Sequence, residues 1–91
     1  MTARAVVDIS DLYRYGIDQF GRGQAVRFLN DLRKTFTLLA EHPRLGRLAS
    51  SIRTGVRRHE HGSQVIVYEE TLDGILILAV VHASSVKRLE L

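Results

Sequence analysis

Ile75, Leu76, Ile77, Leu78, Ala79, Val80 and Val81 follow one another without a polar residue, and no other stretch limits the possible folds so strongly. Seven residues are too few to cross a bilayer, which needs about 20. The run is short and rich in branched side chains, so it reads as a buried strand. Side chains alternate across a strand, placing Ile75, Ile77, Ala79 and Val81 on one face and Leu76, Leu78 and Val80 on the other. A second segment repeats the pattern, with Val65 and Val67 on one side and Ile66 and Tyr68 on the other. A sheet that is apolar on both faces needs cover on both.

The rest of the chain supplies one obvious cover. Ala5, Ile9, Leu12, Tyr13, Ile17 and Phe20 recur at helical spacing, and so do Ala25, Phe28, Leu29, Leu32, Phe36 and Leu39. Gly21-Arg22-Gly23 separates the two stripes, and Pro43 stops the second helix near Glu41. So short a link makes them an antiparallel hairpin. Residues 44–54 have no period and read as a loop. Strands are predicted at 56–61, 64–70 and 75–82, joined at Gly62-Ser63 and at Leu72-Asp73-Gly74, the latter a strong hairpin signal. Residues 83–91 form a tail that either extends the last strand or makes one helical turn. The predicted fold is α+β: an N-terminal antiparallel helical hairpin packed on an antiparallel three- to four-stranded sheet, with 1–91 as one domain.

One hairpin roofs one face. Leaving about 300 Å² of the other face wet would forgo roughly 7 kcal/mol at about 25 cal/mol per Å², so the sequence predicts a foreign chain as the second lid. The tail folding back and a second copy of the chain are the competing covers.

Charge and composition restrict the chemistry. The net charge is +3, and 11 of the 13 basic residues are arginine. Arg44, Arg47, Arg53, Arg57 and Arg58 crowd a central stretch whose one acidic residue up to Tyr68 is Glu60. Such a stretch suits carboxylates or phosphates, and composition does not choose between them. With no cysteine, disulfides, thiolate chemistry and zinc fingers are excluded. No export signal is visible, which points to the cytoplasm.

The series Asp8-Ile9 to Tyr15, Phe20-Gly21, Pro43-Arg44-Leu45-Gly46-Arg47, Gly55-Val56-Arg57-Arg58, Ile66-Val67-Tyr68 and Val80-Val81-His82 resembles the ParE-type toxins of bacterial toxin–antitoxin modules, in the RelE/ParE superfamily. The resemblance implies a small toxin that a partly disordered antitoxin neutralises by folding along its surface. It also implies DNA gyrase as the target, with no cofactor, no membrane, nucleic acid met only indirectly, and a hetero-oligomer with the antitoxin. On this reading Ile66, Tyr68, Leu76, Leu78, Val80, Arg57 and Arg58 bind the antitoxin, and His82, Lys87 and Arg88 face the target. The sequence departs from the family pattern at its short start, at Gln64 where histidine is common, and at His82-Ala83-Ser84-Ser85-Val86, where the family often reads His-x-Arg-x-Asp.

Two other readings remain. RelE-type relatives cut messenger RNA on the ribosome, and His59, His61, Tyr68, His82, Arg57 and Arg58 are the residues that acid–base cleavage would use here. The stretch between Lys34 and Lys87 holds no lysine to complete the cationic set. A toxin fold that only binds an antitoxin is the third reading. His59, His61 and His82 are too few for a metal site without cysteine or clustered carboxylates, so neither a catalytic residue nor a metal ligand is assigned.

Overall fold

A computed structural model describes residues Met1–Leu91. Helix α1 spans Ala3–Phe20 and α2 spans Arg22–Glu41. Gly21 alone lies between them, at φ 87°, a left-handed value that glycine adopts without steric cost. The helices approach closely because small residues face each other: a methyl on Gly16 would sit 3.4 Å from the Ala25 Cβ. Four strands follow, β1 Arg47–Leu48, β2 Val56–His61, β3 Gln64–Thr71 and β4 Gly74–His82. They form an antiparallel sheet in the order β1-β2-β3-β4. The two-residue β1 was not expected in the 44–54 loop. A 3-10 helix, Ala83–Arg88, ends the chain.

The helical hairpin covers one face, as predicted. Ala5, Leu32 and Leu39 pack with Ile66, Tyr68, Ile77 and Val80 in the main core. The alternation inferred for the last strand breaks at one place. Val67 pairs with Ala79 but Tyr68 pairs with Ile77, so Leu78 is an extra residue in β4. Such a bulge puts two neighbours on one side and reverses the parity beyond it. Leu78 and Ala79 both join the reverse face, and Val80 turns under the helices.

This corrects the predicted binding face. Ile66, Tyr68 and Val80 are buried beneath the hairpin rather than on an open face. Leu76 and Leu78 do lie on the reverse face. That face is also less open than predicted. Val86 and Leu89 of the tail, with Ile52 of the loop before β2, pack over Val56, Val65, Val67, Leu78 and Ala79, leaving Leu78 only 5% exposed. The chain supplies its own second lid because a 3-10 helix advances roughly 2 Å per residue, enough for one short segment to reach across the strands.

The free edge of β4 is occupied too. Thr2 caps α1 by accepting the Ala5 N–H at 3.1 Å, and its hydroxyl donates to Leu78 O at 2.9 Å. The Thr2 N–H donates to Ile77 O, and Asp8 Oδ2 accepts the Val80 N–H at 3.0 Å. The start of α1 therefore answers ladder groups around the bulge that a missing edge strand would leave open.

Candidate partner-binding site

The central arginines are held by their own chain. Arg47 Nη2 and Arg58 Nη2 share Glu60 Oε1 at 2.9 and 3.1 Å. Arg53 meets Glu69 at 3.2 Å, and Arg44 meets Glu70 at 3.5 Å. Arg57 donates to Gly46 O at 2.8 Å. Strand pairing creates these contacts, since β2 and β3 bring Glu69 opposite Val56 and Tyr68 opposite Arg57. Arg57 and Arg58 fall on opposite faces of β2, as alternation required.

Arg57 belongs to a latch. The Tyr68 hydroxyl donates to Pro43 O and accepts from the Gly46 N–H, both at 2.8 Å. Burial pushes the phenol above its ordinary value of 10.0, against the smaller opposing effects of the Gly46 N–H and Arg57. Gly46 is required by close approach rather than by its backbone angle. An added Cβ would run into the Tyr68 hydroxyl and lie 2.8 Å from Arg58 O. The Pro43-Arg44-Leu45-Gly46-Arg47 turn is thereby pinned, with Leu45 and Leu48 exposed on it.

The residues considered for RNA cleavage are engaged in separate contacts. His61 lies against α2, its ring edge-on to Phe28 at 5.9 Å and its Nδ1 3.2 Å from Thr35 Oγ1. His59 shares that strand face two residues earlier, half-buried. Tyr68 is committed to its latch. His82 is at the far edge of the sheet, where its Nδ1 accepts the Ser84 N–H at 3.1 Å and caps the tail helix. No three histidine, aspartate or glutamate side chains gather in metal-binding geometry.

Apart from Arg57, which only the Gly46 carbonyl holds, the cations without an ion-pair partner lie elsewhere. Arg22, Arg27, Arg33 and Lys34 of α2 reach no carboxylate, and neither do Lys87 and Arg88 of the exposed tail. Beside α2 a groove of about 250 Å³ opens between the helices, lined by Met1, Val6 and Ile9 on one side and Leu29, Arg33 and Phe36 on the other. Val6 is 54% exposed. Sequence reasoning missed this groove because the stripes were assigned wholly to the sheet. The available signal was Val6, Val26 and Leu29, apolar residues on the flank of each stripe.

An open apolar groove with one unpaired cation, Arg33, in its wall, on a domain whose central arginines are held by their own chain, defines a class of protein that other proteins grip. A family model described as "ParE toxin of type II toxin-antitoxin system, parDE" matches residues 1–86. The chain is 32% identical over 84 residues to Toxin ParE1 of Caulobacter vibrioides, covering 92% of this chain and 86% of that protein. It is 28% identical over 83 residues to Toxin ParE1 of Mycobacterium tuberculosis, covering 90% and 85%. A solved structure, "Chromosomal ParDE TA system from P. aeruginosa", shares the fold with a TM-score of 0.74 at 20% identity, over 89% of each chain. The chain belongs to the ParE toxin family of type II toxin–antitoxin systems. No helix in it is long and apolar enough to cross a membrane.

Proposed function

We propose that this single-domain toxin acts in the cytoplasm by stoichiometric binding to DNA gyrase, without a cofactor, and that a cognate antitoxin restrains it by laying an acidic amphipathic helix into the groove of the helical hairpin. The gyrase target is supported by family membership, and the mode of restraint by features of the molecule itself. The observation that supports the second is the Met1–Phe36 groove with the unpaired Arg33 in its wall, on a helix that carries three further unpaired cations, Arg22, Arg27 and Lys34. A helix carrying apolar residues at three- and four-residue spacing and carboxylates on its flanks complements both features. Leu76 remains a half-buried contact on the reverse face, while Arg57 and Arg58 contribute through the geometry of the loop they hold. His82, at the start of the tail helix, and Lys87 and Arg88, at its end, are assigned to the target.

A binding role is supported by the engagement of Tyr68 in its latch and of His61 and His82 in contacts of their own. Induced expression in a bacterial host tests the reading. Halted replication with DNA-damage signalling is the expected result. Loss of translated messages would replace it with ribosome-dependent cleavage, and unimpaired growth would reduce the protein to an antitoxin-binding module.

A further inference from the structure

We propose that the cavity at the turn end of the helical hairpin is an anchor pocket for one tryptophan side chain presented by a partner protein. The proposal rests on the reading that the chain works through protein partners. The cavity measures about 490 Å³ and lies between the hairpin turn and the β2–β3 turn, with Tyr15, Phe20, Phe28, Ser63, Gln64 and His82 among its walls. It is at the other end of the hairpin from the Met1–Phe36 groove, so the two sites do not compete.

Three features select the occupant. First, Tyr15 and Phe20 are 60% and 64% exposed, so two aromatic rings stand in water at the mouth of a concave site. An isolated exposed ring is ordinary, but a pair framing a cavity favours a flat apolar guest. Second, Gln64 Oε1 is screened from solvent and accepts no hydrogen bond from the protein, while its Nε2 reaches only Ser63 Oγ at 3.4 Å. So loosely held an amide turns readily about its last bond to accept from a guest, and a buried acceptor left unmatched is costly. Third, the lining contains no aspartate, glutamate, lysine or arginine. Its titratable members are Tyr15 and His82. A charged guest would shed its water without a counter-charge.

These requirements together exclude the alternatives. An arginine side chain lacks its counter-ion. A phenylalanine leaves Gln64 Oε1 unmatched. A nucleotide brings a phosphate that no lysine or arginine of the lining answers. Indole meets all three conditions, with a wide neutral ring and a single N–H donor.

The chain contains no tryptophan, so indole emission reports a bound probe alone. N-acetyl-tryptophanamide titrated into the intact protein should shift its emission to the blue and move the NMR signals of Gly16, Phe20 and the Gln64 side-chain amide. The analogue methylated on the indole nitrogen should bind roughly 2- to 10-fold more weakly, the loss of one net hydrogen bond. Gln64→Leu should abolish that difference, and Phe20→Ala, altered at an exposed position, should weaken both probes roughly tenfold while keeping the folded spectrum. No binding up to the solubility limit, equal binding of the two probes by the unmodified protein, or a preference for an arginine amide or a nucleoside would overturn the proposal. No partner takes part in this titration, so an inert cavity would leave the toxin reading standing.

Discussion

Gly46→Ala offers the sharpest test of how the arginine loop is held. The added methyl would collide with the Tyr68 hydroxyl and lie 2.8 Å from both Tyr68 Cε1 and Arg58 O. Arg58 O belongs to the strand backbone and Tyr68 is fully buried, so neither yields easily. Overpacking of this kind costs about 1–3 kcal/mol. Displacing the turn also weakens the two hydroxyl hydrogen bonds, each worth about 0.5–1.5 kcal/mol net. The expected loss is about 3 kcal/mol, which lowers Tm by roughly 12–24 °C in a domain of this size. Tyr68→Phe should cost about 2 kcal/mol by stranding the Gly46 N–H and Pro43 O. In the double variant the hydroxyl is gone and only the Arg58 O and ring contacts oppose the methyl. The combined loss should therefore fall short of the sum by about 1 kcal/mol or more. Urea unfolding of the four proteins measures this cycle. Strict additivity, or a Gly46→Ala loss below about 0.5 kcal/mol, would refute the latch.

Other outcomes follow from the same contacts. Because burial raises the Tyr68 pKa, the phenol's contribution is fully present below its ordinary value of 10.0. It is lost as pH rises through the folded value, since the unfolded chain ionises first. Urea midpoints of the unmodified protein should thus drop more steeply than those of Tyr68→Phe above about pH 10, and parallel curves would contradict this. Deleting residues 83–91 should uncover Val65, Val67 and Leu78, cost several kcal/mol and cause self-association on a sizing column, and an unaltered urea midpoint would show that the tail is not a lid. Exchanging Arg33 and Lys34 for Ala should weaken antitoxin binding and flatten its salt dependence, whereas Arg58→Ala, which removes one of the two cations that share Glu60 on the sheet, should change the slope less. The reverse ranking would move the antitoxin back to the sheet.

Much of this architecture is legible in the sequence, and the failures share a cause. The two helices announce themselves through the period of Ala5, Ile9 and Leu12 and of Leu32, Phe36 and Leu39, a local property. The strands announce themselves through branched residues and the Asp73-Gly74 turn. The bulge at Leu78 has no such mark. No glycine flags it, and its loose ladder groups are met by Thr2 and Asp8, more than 70 residues away. Missing it misplaced Val80, and with it the face meant for the antitoxin. The tail is hard to read because nine residues without period look like a solvated end, although Val86 and Leu89 suffice to cover two strands. The arginines looked free because Glu69 and Glu70 reach them only once β3 has folded back. What remained for a partner was on the outer flank of the helices, where Val6 and Val26 interrupt a polar surface.

Purified gyrase acting on relaxed plasmid tests the central claim most directly. Near-equimolar toxin should stop supercoiling and leave linear, protein-bound DNA, and prior addition of the cognate antitoxin should restore the supercoiled product. Undiminished supercoiling at large toxin excess, with the protein folded and free of antitoxin, would contradict the account.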